Sequence, residues 1–164
     1  MGTSSMKIVL INLPHEESLD PLLDPPLGLM YIASVIRKLN KEYEVSIMDL
    51  SFHNRKEWIN IIPFADLYGI TVMTSSLHHS LNVKNICKKI NPECKVMVGG
   101  AHPSALPRKT LRLGFDIVVV GEAEGTVEHI LKYVSQPDSQ YPTMIYGNNR
   151  LIDINKIPYP SLVL

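Results

Sequence analysis

The chain of 164 residues lacks most of what would tie it to a large class of partners. It holds two cysteines, Cys87 and Cys94, with six residues between them. That is neither a disulfide framework nor the paired spacing of a zinc or iron–sulfur site. They read as two reduced thiols, and the expected compartment is the cytoplasm. Neither charge is in excess, since 16 Lys plus Arg balance 16 Asp plus Glu. No field is left over to hold a nucleic-acid backbone or an anionic membrane. No apolar run approaches the roughly 18 residues of a membrane span, and no basic segment with a long apolar stretch opens the chain as a signal peptide would. No GxGxxG is present, so the dinucleotide fingerprint fails. These absences leave a small-molecule binder of about one domain.

What is present is a strict alternation. Met6 to Leu13 (MKIVLINL), Leu67 to Met73, Lys95 to Val98 and Phe115 to Val120 are short apolar runs rich in branched residues, as strands covered on both faces require. Tyr43 to Leu50 alternates apolar with polar and suits a strand nearer an edge. Between these runs, Ile32, Val35, Ile36 and Leu39 fall at i, i+3, i+4, i+7, and Val83 to Ile90 and Val127 to Val134 repeat that helical stripe. Shorter helices, broken by proline, are expected within 55–63 and 103–113. Strand–helix alternation of this kind gives a doubly wound α/β domain with a five-stranded parallel sheet, flavodoxin-like or Rossmann-like. In the order 2-1-3-4-5 its ligand sits beyond the strands' carboxyl ends, between strands one and three. Residues 142–154 read as a hairpin turning at Gly147-Asn148-Asn149, followed by a proline connector, IPYPSLVL. The expected division is a tag remnant at 1–5, the α/β domain at 6–136, and a hairpin and connector at 137–164.

The strand ends carry the chemistry. A long loop rich in proline follows strand one, from His15 to Pro26. Strand three ends in Thr74-Ser75-Ser76-Leu77, with more hydroxyls than one helix cap needs, so the surplus is expected at the cleft. Strand four ends in Gly99-Gly100-Ala101-His102, where glycine lets backbone approach a flat ligand. Strand five ends in Gly121-Glu122-Ala123-Glu124, acidic residues that a helix N-terminus also favours by itself. His53, His78 and His79 show no ligand spacing and read as surface or cap residues, and His129 as a helix-face residue.

In order, PPLGLMYIASVIRKL, GITVMTSSL, VMVGGAHPSALP and FDIVVVGEAEGTVEHIL resemble the N-terminal cobalamin-binding domain of B12-dependent radical SAM proteins, over residues 6–164. That group includes radical SAM methyltransferases and the anaerobic Mg-protoporphyrin monomethyl ester cyclase. The resemblance implies a corrinoid against the carboxyl edge of the sheet, its nucleotide tail entering near strands three and four. Ser75, Ser76 and Leu77, beside Thr74, match the SxL region. Gly99 and Gly100 match the GG that makes room for the tail. Ala101, His102, Gly121, Glu122 and Glu124 would line the corrin or its amides. A bulky residue at Gly100 is then expected to abolish cofactor uptake and leave the fold intact.

Methyl-carrying and mutase-type cobalamin domains place DxHxxG after strand one, but this chain reads Leu13-Pro14-His15-Glu16-Glu17-Ser18 there. Without the aspartate that would orient its imidazole, His15 is a weak candidate for cobalt, and cobalt without a histidine ligand is expected. The resemblance further implies a C-terminal radical SAM barrel in the same polypeptide, with a 4Fe-4S cluster and SAM. The chain has no CxxxCxxC, so it can supply only the cobalamin half of such an enzyme and reads as an inactive fragment of it. A flavodoxin-like binding or signalling module, or a degenerate docking domain without cofactor, would keep the same fold. A receiver would carry aspartates where Asn12 and Thr74 stand.

Overall fold

The structure, a computed structural model, describes residues 5–14, 25–136, 142–147 and 157–160. Strands β1 (Lys7–Asn12), β2 (Glu44–Asp49), β3 (Leu67–Thr71), β4 (Lys95–Gly99), β5 (Ile117–Val120) and β6 (Thr143–Tyr146) form one sheet in the order β2-β1-β3-β4-β5-β6. All five pairings are parallel. The order reverses between β1 and β3, the expected switch point. The expected five strands become six. TMIY, read above as the first arm of a hairpin, continues the sheet beside β5, in the register Ile117↔Thr143 to Val120↔Tyr146. The second arm of that hairpin lies outside the described residues.

Helices α1 (Leu27–Leu39), α2 (Trp58–Ile61), α3 (Leu77–Ile90), α4 (Ala101–Ala105), α5 (Pro107–Arg112) and α6 (Val127–Val134) fill the connections. The helix expected at 103–113 is split in two, since Leu106 breaks the run and Pro107 opens α5, where its missing N–H costs nothing.

Side-chain alternation along the strands builds two cores. On one face Val9, Ile11, Tyr68, Ile70, Val96, Val98 and Val118 meet Trp58 of α2, Val83, Ile86 and Cys87 of α3, and Phe115. On the other, Ile8, Leu10, Leu67, Met97, Ile117, Val119 and Ile145 meet Leu29, Met30, Ala33 and Ile36 of α1 and Val127, Ile130 and Leu131 of α6. Carboxylates fasten the amino edge: Asp66 accepts from the Lys7 N–H at 2.8 Å and Asp116 from the Val96 N–H at 2.8 Å. Among the described residues no helix is long and apolar enough to cross a membrane.

Candidate functional site

At the switch point the described residues of the α1/α6 face leave a cleft. The cleft, of about 710 Å3, runs from the carboxyl edge down between the sheet and the start of α1. That is within the usual size of small-molecule sites. Leu10, Gly69, Met97 and Val119, from four neighbouring strands, make its floor. Pro25, Pro26, Leu27, Leu29 and Ile32 make the α1 wall, and Gly121 to Glu124 the opposite rim. The polar lining is sparse: Asn12, Thr71, Ser104, Glu122 and Glu124. The first-turn N–H groups of α1, which no intrahelical carbonyl can reach, lie at the same rim.

Glycine shapes this site. Gly100 has φ +101°, and a Cβ there would stand 3.1 Å from the Val72 carbonyl and 3.2 Å from Thr71 Oγ1. Its conformation therefore serves the turn out of β4 as much as any ligand. This corrects the expectation for a bulky residue at Gly100, which would strain the backbone before it blocked a ligand. Gly99 is the cleaner probe, since a Cβ there meets only Val119 Cβ, at an ordinary 3.7 Å. Gly121, at φ +81°, turns the chain out of β5, and its N–H donates to Ser104 Oγ at 3.0 Å.

The expected site residues divide into two groups. Gly99, Gly100, Ala101, Gly121, Glu122 and Glu124 line the cleft. Thr74, Ser75, Ser76, Leu77 and His102 stand outside its lining, in the turn and helix starts beside it. Ser76 is buried and bonded to its own loop: its Oγ accepts from the Met73 N–H at 3.1 Å and donates to the Met73 carbonyl at 3.3 Å. Thr74 Oγ1 shares a 3.2 Å hydrogen bond with His102 Nδ1, and the His102 N–H donates to the Val72 carbonyl at 3.1 Å. These bonds tie the β3 and β4 ends together. His15 lies outside the described residues.

Other residues of the cleft carried no assignment from sequence. Gly69 sits mid-strand, where glycine signals a close approach. Asn12 ends β1, buried, with its Nδ2 donating to Asp49 Oδ2 at 3.1 Å while Asp49 Oδ1 accepts from the Ser51 N–H at 2.9 Å. With its amide nitrogen so used, Asn12 keeps an acceptor oxygen at the switch point. His79, read above as a surface or cap residue, is not at the surface. It is buried, edge-on to Trp58 with ring centroids 5.6 Å apart, on the face away from the cleft. His53 and His129 are exposed.

The chain is 34% identical over 141 residues to an uncharacterized methyltransferase, PH0819, of Pyrococcus horikoshii, covering 80% of this chain and 30% of that protein. It thus spans about a third of that relative's length. Its fold matches the cobalamin-dependent S-adenosylmethionine radical enzyme OxsB, solved with aqua-cobalamin and S-adenosylmethionine bound, with TM-score 0.61, 18% identity, and 82% of this chain on 20% of that one. It also matches the Salmonella typhimurium response regulator RcsB, with TM-score 0.56, 14% identity, and 84% of this chain on 65% of that one. At these identities the two structures speak for the fold alone. The family model for the B12 binding domain matches residues 23–131, two thirds of the chain, and the chain belongs to that family.

Proposed function

We propose that this domain holds a corrinoid across the carboxyl edge of its sheet, with the nucleotide tail down in the cleft, as the cobalamin half of a radical SAM enzyme. The observation that carries the first part is the cleft itself. It opens at the switch point of a B12-binding domain, has an apolar floor, and is kept open where side chains at 69 and 99 would intrude. Gly100, Ala101 and Gly121 offer a low edge on which a macrocycle can lie. Glu122, Glu124 and Asn12 supply acceptors for its amide side chains. Thr74, Ser75, Ser76, Leu77 and His102 form and brace the adjoining stretch of that edge. When bound, cobalamin supplies the group that such enzymes store or transfer; this chain's own residues bind it, orient it and shield its tail.

The second part is supported by the sequence relative, named a methyltransferase, of which the chain spans 30%, and by a fold shared with part of a cobalamin-dependent radical enzyme, of which it spans 20%. On this reading the 4Fe-4S cluster and SAM belong to a barrel further along the same polypeptide. The boundary toward that barrel falls after β6, since Thr143–Tyr146 belong to the sheet.

Visible titration with hydroxocobalamin tests the first part. The purified domain is expected to take up cobalamin, and Gly99→Phe, which puts a ring into the cleft, to weaken uptake about a hundredfold while the protein stays folded. No uptake by the parent at high micromolar cobalamin would count against the reading. For the second part, the gene beyond Leu164 is expected to run on into CxxxCxxC within a few tens of residues, about a linker and one barrel strand. A stop codon there, with no barrel partner nearby, would promote the stand-alone module.

A further inference from the structure

The floor of the cleft contains one position where a single carbon atom decides how much room is left. Gly69 lies in the middle of β3, with Leu10 of β1 and Met97 of β4 as its direct register partners. A Cβ built on it would stand 2.8 Å from Leu10 Cδ2 and 2.9 Å from Met97 Cε. Carbon atoms do not approach so closely, so both tips now occupy the space that any other residue at 69 would claim. Leu10, Gly69 and Met97 all line the same cleft. A methyl at 69 would push the two tips outward, and the cleft is the open space they have to move into. The change is tolerable for the fold, because what moves are the ends of flexible side chains. It is costly for whatever occupies the floor.

Building on the corrinoid reading above, we propose that Gly69, with Leu10 and Met97, is the depth gauge of the cleft and thereby the residue that selects corrinoids by their lower base. The floor is apolar and bounded by Val119 and the α1 residues Leu29 and Ile32, which would hold the apolar ring of a lower base. The polar lining residues Asn12, Thr71 and Ser104 come from strand ends and α4, where the ribose and phosphate of a tail would pass. The selectivity therefore resides in the tail, and the corrin ring contributes affinity without discrimination.

The test compares dicyanocobalamin with dicyanocobinamide, which share corrin and axial ligands and differ in the nucleotide tail. The parent domain is expected to bind the first at least about tenfold more tightly. Gly69→Ala is expected to lower cobalamin affinity about tenfold or more and leave cobinamide affinity unchanged, so that the ratio of the two Kd values falls toward one. Gly69→Ala/Leu10→Ala/Met97→Ala, which removes both colliding tips, restores the ratio. If Gly69→Ala proves poorly folded, Met97→Phe crowds the same floor from the next strand and is expected to collapse the ratio in the same way. A parent ratio already near one overturns the proposal, as does an equal loss for both corrinoids or no loss for either, and each leaves corrinoid uptake by the domain standing. A parent that binds neither corrinoid removes the corrinoid reading, and this inference with it.

Discussion

The two faces of the sheet are built from the same strands and used in opposite ways. The α2/α3 face buries the largest residues: Trp58 of α2, Tyr68 of β3 and Phe115 before β5 are fully covered, and the Tyr68 hydroxyl donates to the Pro63 carbonyl at 2.7 Å and accepts from the Ala65 N–H at 3.0 Å. On the α1/α6 face the neighbouring residue of β3 is Gly69, and the described residues leave the cleft. One residue of β3 thus separates a packed aromatic from an open floor. A sheet covered on both faces can give one face to stability and the other to a ligand, because alternation keeps their side chains apart. The division predicts that the two properties can be damaged separately.

The largest separable effect is expected from Trp58→Ala. Trp58 anchors α2, a helix of only four residues, with its Nε1 donating to the His53 carbonyl at 3.3 Å and its ring against His79. Removing it is expected to cost about 3–5 kcal/mol in chemical denaturation, a large part of a typical domain's stability. Cobalamin affinity of the folded fraction is expected to stay within about twofold, because Trp58 does not line the cleft and, among the described residues, Ile70 alone belongs to both the cleft lining and that core. A matching loss of affinity would mean that the faces are coupled through the strands, and the comparison would break.

High pH probes mainly the closed face, since on the other only Tyr133 of α6, among the described residues, is likewise raised by burial. Cys87 and Cys94 are both buried on the closed face. Burial is the main cause that pushes the Cys94 thiol from its ordinary 9.0 up to about 11, and burial, with Cys94 beside it, pushes Cys87 higher still. The unfolded chain releases these protons from about pH 9, while the folded chain holds them. Above that pH the unfolded state binds fewer protons, so stability is complete below about 9 and falls as pH climbs toward 11. The slope is about 1.4 kcal/mol per pH unit for each thiol in that window. Tyr68, also raised chiefly by burial, adds to the loss at the alkaline end. Urea midpoints from pH 8 to 11 would measure it, and Cys94→Ala should make the curve shallower, leaving the Cys87 contribution. A flat curve in the parent would show that the thiols are reached by solvent.

How much of this was readable beforehand depended on whether a signal was local. The first five strands and the three long helices were legible, because apolar runs and i, i+3, i+4, i+7 stripes report burial directly. The sixth strand was misread, since TMIY, GNN and LIDI together carry the local pattern of a hairpin. Its true partner, β5, is reached through the Thr143 N–H to the Asp116 carbonyl, a contact between distant residues. At the site, Gly99 and Gly121 showed as glycine at strand ends. Gly69 did not, because its meaning lies in two side chains on other strands. The hydroxyl run at 74–76 announced a polar strand end but not how its bonds would be shared, and Ser76 spends its own within the loop.

That sharing leads to the smallest predicted effect, at the bond between the β3 and β4 ends. Thr74 and His102 cross from the β3 end to the β4 end through their 3.2 Å hydrogen bond, and His102 itself is buried. Thr74→Val keeps the shape of the side chain, removes the hydroxyl and leaves His102 Nδ1 without that partner. The expected cost is about 1 kcal/mol, the usual net worth of one such bond. If the bond only braces the edge, cobalamin affinity should fall by no more than about threefold, since the lost energy is spread over a loop outside the cleft's lining. If Thr74 also meets the corrin, affinity should fall further while stability changes no more. Thr74→Ser, which keeps the hydroxyl, should then recover most of that loss. Thermal melts and cobalamin titrations on the two variants separate a brace from a contact, because only a contact moves the second measurement more than the first.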